Sequence, residues 1–190
     1  ELSGFKIGAS FDLIRYIEST DPYGDKERIE YNLSDSQTGL PGTINESLPD
    51  SNIVNYRTSD NDDRNSFFWD KQQMKYGAGD YSKAHLYHWV NEFGATETAT
   101  SILESEKPPL EGRIWYNYAG QTSPDVQGDL AQPSTVARLV EDETGALVTQ
   151  AYKYEYNDLG NTTKSIDPQG RETLIEYASN DIDIRYVKQR

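Results

Sequence analysis

Cysteine is absent from the 190-residue sequence. Its absence excludes a disulfide scaffold, a cysteine-ligated zinc or iron–sulfur site and a thiol nucleophile. The sequence also lacks a run of about 20 apolar residues, which a membrane-spanning helix needs, so we predict no membrane insertion. It begins Glu-Leu-Ser-Gly, without an initiator methionine or a signal-peptide pattern, and we interpret it as a piece of a longer chain.

Positive charge is scarce. The sequence has 18 Lys and Arg against 32 Asp and Glu, which gives a formal net charge of -14 at pH 7. A surface of this sign repels phosphate at long range, and no run of Lys or Arg supplies a local basic stripe. We therefore predict that neither nucleic acid nor an anionic membrane surface is a partner.

Apolar residues are also few, because only 35% of the sequence is hydrophobic, against about 45–50% in an average globular domain. Aromatic residues are nevertheless abundant, with 14 Tyr, 5 Phe and 3 Trp. A disordered chain is poor in aromatic residues. A chain of this length can bury about 70% of its unfolded surface, so we predict one folded domain with a thin core.

A 13-residue segment occurs twice in the chain. Residues 19–31 and 165–177 align without a gap and share seven identical residues. Each copy contains Asp-Pro-x-Gly, in which Asp suits the first position of a type I turn, Pro the second and Gly the fourth. An alternating segment that ends in Tyr follows each turn and predicts a β-strand.

Alternating patterns predict further strands. Tyr152, Tyr154 and Tyr156 alternate with polar residues, which is typical of a half-buried strand. Residues 157–161 predict a turn, and the β-branched segment 162–166 predicts the next strand. Other strand candidates are residues 85–90, 113–118, 138–140 and 146–148, the last two as a hairpin around residues 141–145. The predicted fold is all-β, an antiparallel meander of hairpins.

Three segments depart from this pattern. Residues 35–63 and 121–133 are rich in Ser, Asn, Asp, Gly and Pro, and we predict that both are irregular loops. Residues 95–106 predict one short helix, because four apolar residues in it follow a helical spacing. These four residues are Ala95, Ala99, Ile102 and Leu103.

The segment from Tyr154 to Tyr177 resembles the RHS repeat, also called the YD (tyrosine-aspartate) repeat. The repeat combines Tyr-x-Tyr-Asp, Gly-Asn, Asp-x-x-Gly-Arg and a closing Tyr. The matching residues are Tyr154, Tyr156, Asn157, Gly160, Asn161, Asp167, Pro168, Gly170, Arg171 and Tyr177, with Asp21, Pro22, Gly24 and Tyr31 in the first copy. Asn157 stands where the family usually has Asp, and the two copies lie 165 minus 19, or 146, residues apart, which is much longer than one repeat.

The resemblance divides the chain into four parts. Residues 1–35 correspond to a degenerate RHS repeat and residues 36–75 to a loop-rich insertion. Residues 76–151 correspond to a β-rich, RHS-like region, and residues 152–190 to a well-matched repeat.

The resemblance implies a structural function. In this family, tandem repeats form a continuous β-sheet that spirals into a hollow shell. The shell encloses a C-terminal toxin in bacterial toxin-complex and polymorphic-toxin proteins, and a similar shell belongs to the animal teneurin adhesion receptors. We therefore expect a wall segment of a secreted or cell-surface protein, whose partners are the rest of the parent chain and the enclosed polypeptide.

Catalytic and metal-binding patterns are weak. His85 and His88 lie three apart on a predicted strand, so their side chains point to opposite faces and do not share a metal. The acidic residues 60–63 lack the Gly and Glu of an EF-hand loop, which favours a solvated turn over a calcium site. No nucleophile elbow, phosphate-binding loop or His-Glu-x-x-His motif is present. We predict no enzyme activity, no metal and no cofactor.

Two other interpretations concern the repeat motifs and the aromatic rows. RHS proteins often contain a self-cleaving region with Asp-Pro motifs, but a turn explains every residue of the motifs at Asp21 and Asp167. The aromatic rows favour packing within the sheet. The alternative is a surface module that binds a glycan or a partner protein, with Trp89 and Trp115 as the aromatic contacts.

Overall fold

A computed structural model of the protein describes residues 4–9, 15–33, 49, 64–77, 79–91, 99–123 and 127–190. These residues form one 12-stranded sheet with the strands in chain order. The strands are β1 Gly4–Ala9, β2 Arg15–Thr20, β3 Lys26–Leu33, β4 Asn65–Trp69, β5 His85–Asn91, β6 Ala99–Lys107, β7 Ile114–Tyr118, β8 Pro133–Glu141, β9 Leu147–Tyr156, β10 Thr162–Ile166, β11 Glu172–Tyr177 and β12 Ile184–Gln189.

Each strand pairs antiparallel with the next strand along the chain. The predicted all-β meander is therefore confirmed, including the strands expected near residues 85–90, 113–118 and 162–166. The predicted hairpin around residues 141–145 joins β8 to β9. In such a meander each strand pairs with the strands that neighbour it in sequence, and where a short turn joins two strands, that turn helps to set their register.

One short helix, α1 (Lys71–Gly77), lies between β4 and β5. The side chain of Asp70 accepts a hydrogen bond from the Gln73 amide at 2.7 Å, and the Gln73 side chain accepts one from the Asp70 amide at 2.8 Å. This reciprocal capping satisfies two amides that the helix start would otherwise leave unpaired. A 3₁₀ turn at Tyr81–Lys83 follows α1.

The apolar core lies where α1 and the 3₁₀ turn pack on the sheet. Phe67, Trp69, Ala84 and Leu86 are buried there, with Met74 and Tyr81 packed against them. The Tyr81 ring contacts Phe67 edge-on, with ring centroids 4.9 Å apart. This small cluster is consistent with the low apolar content of the sequence.

The two faces of the sheet differ in character. Directly opposed residues of an antiparallel pair share a face, and one face contains the buried residues Asn65, Leu86, His88, Ser105, Trp115 and Ala137. We call it the His88 face. The other face, which we call the Tyr87 face, contains half-buried Tyr87, Glu106, Tyr116 and Val136 and continues to Tyr152.

Two sequence-based predictions are wrong. Residues 99–106 belong to strand β6 rather than to a helix. The segment pairs with β5 on one side and with β7 on the other, and this backbone pairing outweighs a weak helical spacing in which two of the four apolar residues are alanines. Residues 65–75, assigned to the loop-rich insertion, form β4 and most of α1. The aromatic segment Ser-Phe-Phe-Trp buries apolar surface that a loop would expose.

The two segments predicted to be loops lie only partly within the described residues. Residues 34–48 and 50–63 lie outside the described residues, and so does the acidic stretch at residues 60–63. The described residues 121–123 and 127–132 form no strand or helix, in agreement with the predicted loop. Residues 95–98 of the predicted helix also lie outside the described residues.

Candidate functional site

The repeated motif residues form turns of one geometry. In each turn the amide of the fourth residue donates to the carbonyl of the first, at 2.8 to 3.0 Å, and the fourth residue is a glycine with φ between 79° and 88°. The first residues are Asp21, Asp142, Asn157 and Asp167, and the glycines are Gly24, Gly145, Gly160 and Gly170. A type I turn followed by a left-handed residue is a common three-residue hairpin connection.

The first side chain of each turn binds the turn's own backbone. The Oδ1 atom of Asp167 accepts hydrogen bonds from the amides of Gln169 and Arg171, at 2.9 and 3.0 Å. The equivalent atoms of Asp21, Asp142 and Asn157 accept the same two amides of their own turns. In each turn these two hydrogen bonds link the first side chain to the backbone of the turn and so stabilise its conformation.

The turn at residues 142–146 is a further copy of the motif, which the sequence pattern alone does not identify as one. The sequence predicts a hairpin there, but its Asp-x-x-Gly spacing is the same as in the other three turns. It lacks the Pro of the two Asp-Pro turns, where Pro22 and Pro168 are exposed. The hydrogen bonds from Thr144 and the backbone lower the pKa of Asp142, which shows that the turn favours the charged carboxylate.

Asn157, where the resemblance to the RHS repeat leads us to expect Asp, makes a contact that an aspartate would not make. Its Oδ1 atom closes the turn, while its Nδ2 atom donates to the carbonyl of Asp181 at 2.9 Å. The Nδ2 atom of Asn161 donates to the same carbonyl at 2.9 Å. Asp181 has a φ of 56°, so the two amides fix a left-handed residue in the turn between β11 and β12.

Three tyrosine hydroxyls connect successive strands. Tyr118, Tyr156 and Tyr177 lie at the ends of β7, β9 and β11. Their hydroxyls donate to the carbonyls of Leu103, Pro133 and Thr162, at 2.6, 2.8 and 2.9 Å. In each case the acceptor belongs to the preceding strand of the sheet, so the same contact recurs from hairpin to hairpin.

The other predicted motif tyrosines pack within the sheet. The Tyr154 ring stacks on the Tyr156 ring, with centroids 6.3 Å apart. Tyr31 lies half-buried in β3. Arg171 binds the Asp167 carboxylate through Nε at 2.5 Å and so reinforces the turn that follows β10. The structure therefore places the motif residues in the β2–β3, β9–β10 and β10–β11 hairpins and their strands.

A buried polar cluster lies on the His88 face. Arg64 and His88 have no exposed surface, and Arg64 Nη1 donates to Glu104 Oε2 at 3.1 Å. His88 Nδ1 lies 2.7 Å from Asn65 Oδ1, and His88 Nε2 lies 3.3 Å from Glu104 Oε2. A register shift in β6 between Leu103 and Ser105 buries Glu104 and Ser105 together, as β-bulges do when they redirect a side chain.

Burial lowers the pKa of His88, against the opposing attraction of Glu104. Charge repulsion from Arg64 and Arg113 also lowers the pKa of His88. Arg113 is held nearby, where its Nη1 atom donates to Ser105 Oγ at 2.9 Å. His88 is therefore neutral at neutral pH. The sequence does not predict this cluster, because its members lie up to 40 residues apart and no motif connects them.

His85 lies on the Tyr87 face, opposite to His88, as the strand period predicts. Its Nε2 atom lies 2.9 Å from Glu106 Oε2, and its ring stacks on Tyr87 with centroids 4.2 Å apart. The hydroxyl of Tyr116 donates to Glu106 Oε1 at 2.6 Å. Among the described residues, no three His, Asp or Glu side chains are grouped in a way that could hold a metal ion.

The two tryptophans considered as glycan contacts are unsuited to that function. Trp115 is only 2% exposed, so a sugar cannot reach its ring. Trp89 is half-buried, and its indole nitrogen donates to Ser66 Oγ at 3.0 Å. Exposed aromatic surface lies instead on β9, where Tyr152 is 43% exposed and lines, together with Tyr154, a groove of about 670 Å³.

Comparison with protein-family models gives no match to this chain, and comparison with curated proteins gives none either. None of the helices in the described part of the chain is long and apolar enough to span a membrane.

Proposed function

We propose that this chain is a non-catalytic wall segment of an RHS-type β-shell, which encloses or presents another polypeptide outside the cell that produces it. The observation that supports the proposal is the repetition of one turn, with the same first side chain contacts and the same left-handed glycine, at four hairpins of a chain-order meander. A wall built from tandem hairpins requires this repetition, whereas a catalytic domain does not.

The packing of the sheet is consistent with a wall. Each strand pairs with its neighbours, and the tyrosine hydroxyls of β7, β9 and β11 connect each of these strands to the one before. Repeat proteins obtain their stability from such contacts between neighbours. A low apolar content suffices for a sheet of this kind, because it does not need one large central core.

The buried cluster also favours a structural function. Arg64 and His88 are fully buried, and Glu104 is 4% exposed, so a substrate cannot contact them. Their ion pair and hydrogen bonds join β4, β5 and β6. We infer that this cluster helps to fix which strands pair, because a buried ion pair alone is weak evidence for stability.

Electron microscopy of the native polypeptide that contains these residues, combined with protease protection, tests the proposal. We expect a hollow particle and a protected internal segment. Gly145→Pro, which breaks the hairpin between β8 and β9, is expected to expose that segment to protease. Pro22→Ala, at an exposed turn position, serves as the control and is expected to preserve protection. A solid particle without a protected segment would contradict the proposal.

A glycan-binding surface module is the second candidate function. The groove beside Tyr152 and Tyr154 favours it, because this groove combines aromatic rings with polar side chains at an accessible surface. Ligand sites characteristically combine apolar or aromatic walls with a few polar groups that fix orientation. Binding of an oligosaccharide to the purified chain tests this candidate.

A further inference from the structure

We propose that the groove beside Tyr152 and Tyr154 is a binding site for a neutral oligosaccharide. The inference rests on the second candidate function, glycan binding, and does not depend on the proposal that the chain is a wall segment of a β-shell. It assigns the site to four strands at the C-terminal end of the described sheet, β9 to β12, and assigns the aromatic contact to Tyr152.

The groove follows from the register of these strands. Tyr154 lies opposite Ser165, Ser165 opposite Thr173, and Thr173 opposite Gln189. Side chains of directly opposed residues share a face, so this row across the sheet has a large residue, two small ones and another large one. The two small side chains form the floor of a valley over β10 and β11. The valley is part of the groove of about 670 Å³.

Tyrosine rings form one wall of the groove. Tyr152 is 43% exposed, while Tyr154 stacks on Tyr156 with an angle of 26° between the rings. The hydroxyl of Tyr156 is fixed by its hydrogen bond to the Pro133 carbonyl. The ring faces carry negative electrostatic potential and attract the weakly positive C–H groups of a sugar ring. A wall held in this way loses little side-chain entropy when a ligand binds.

The polar lining selects a neutral ligand. The hydroxyls of Ser165 and Thr173 and the amide of Gln189 both donate and accept hydrogen bonds, as sugar hydroxyls do. The charged lining residues are two acids, Asp167 and Glu172, and two bases, Arg171 and Arg190, and Asp167 already binds Arg171. Because these charges balance, the groove offers no excess charge that would select an anion or a cation.

Calorimetric titration of the purified chain with four neutral hexasaccharides tests the site. The probes are maltohexaose, cellohexaose, mannohexaose and N-acetylchitohexaose, and a heparin hexasaccharide is the anionic comparison. We expect saturable binding of at least one neutral probe and none of heparin. Tyr152→Ala is expected to weaken binding about tenfold, which corresponds to about 1.4 kcal/mol. Ser165→Leu, which fills the valley floor, is expected to abolish binding.

Tyr23→Ala is the matched control, because Tyr23 is 92% exposed in a turn far along the chain from the groove and the variant is expected to bind like the wild type. Thermal unfolding of all variants checks that they fold. Binding that survives both groove variants would overturn the site but leave glycan binding intact. Failure of all four neutral probes, or binding of heparin alone, would overturn both the site and the neutral ligand class.

Discussion

At the scale of single residues, His88 is a titratable group enclosed among charges. It lies fully buried next to Asn65 and Glu104, with Arg64 and Arg113 close enough to affect its charge. Burial lowers the pKa of His88 in the folded protein. On unfolding, the pKa of the imidazole rises to its usual value of about 6.5. The unfolded chain therefore binds an extra proton when the pH falls below that value.

We predict that the free energy of unfolding decreases from pH 7 to pH 5. A folded pKa below the unfolded one makes stability rise with pH, by at most about 1.4 kcal/mol per pH unit for one proton. Acids with lowered pKa values, such as Asp21 and Asp142, lose their contribution only when the pH approaches about 4. Urea unfolding at pH 7, 6 and 5, monitored by tryptophan fluorescence, measures the slope.

His88→Gln should flatten this slope, because glutamine does not titrate. Proton NMR of the wild type provides a second measurement that does not depend on a variant folding. In the folded protein the His88 ring resonances should titrate at a pH below the ordinary pKa of about 6.5. Equal slopes in the wild type and His88→Gln, or a folded-state titration near pH 6.5, would refute the prediction.

Gly145 is the residue at which backbone conformation is most cleanly tested. Its φ is 79°, and a Cβ placed there would have open space around it. Gly145→Ala therefore adds only the strain of a left-handed alanine, about 1–2 kcal/mol. Gly112→Ala is the control, because Gly112 lies outside the left-handed region and its Cβ would make an ordinary 3.5 Å contact. Chemical denaturation that gives the same stability loss for both variants would contradict the assigned turn.

At the scale of elements, the hairpins could be predicted because their determinants are local. The residues that form each turn lie within five positions of one another, as in the turn that begins at Asp167. The alternating tyrosines of β9 and the β-branched residues of β10 also act within single strands. In these elements the residues that form the sequence pattern are the same residues that form the turns and strands of the structure.

Elements that depend on distant partners could not be predicted in this way. Strand β6 pairs with β5 between Ala99 and Lys107 and with β7 at Ser105 and Glu106, and the helical spacing of its apolar residues is coincidental. The contact between Arg64 and Glu104 spans 40 residues and depends on a register shift within β6. Such a shift follows from how two strands fit together and leaves no local signal in the sequence.

The hydroxyl contacts between strands can be measured one at a time. Tyr156→Phe removes the hydrogen bond to the Pro133 carbonyl but leaves the ring in place. We expect a loss of about 0.5–1.5 kcal/mol in the free energy of unfolding, with similar losses for Tyr118→Phe and Tyr177→Phe. Tyr23→Phe, at a 92% exposed position, should change nothing. Urea denaturation that separates none of the three variants from this control would show that the hydroxyl contacts are unimportant.

At the scale of the whole molecule, the last strand of the meander, β12, has an open outer edge. No strand of the described residues pairs with the outer edge of β12, and every residue of β12 is exposed. Its apolar residues Ile184, Tyr186 and Val187 are 52% to 58% exposed. β12 also contains the bases Arg185 and Lys188, so the charge at this edge has the opposite sign to the net charge of the chain, which is -14. An open edge of this kind is a template for pairing with another strand.

We predict that the purified chain self-associates through β12. Arg190 pairs with Glu172 of β11 through both backbone groups, so by strand alternation the amide of Val187 points away from β11. Val187→Pro removes that outward donor without removing a hydrogen bond to β11, and proline is tolerated at sheet edges. Sedimentation velocity over a range of concentrations should show association in the wild type and in Val187→Thr, which keeps the amide, but a monomer for Val187→Pro. A wild type that stays monomeric at every concentration would show that charge repulsion between chains outweighs edge pairing.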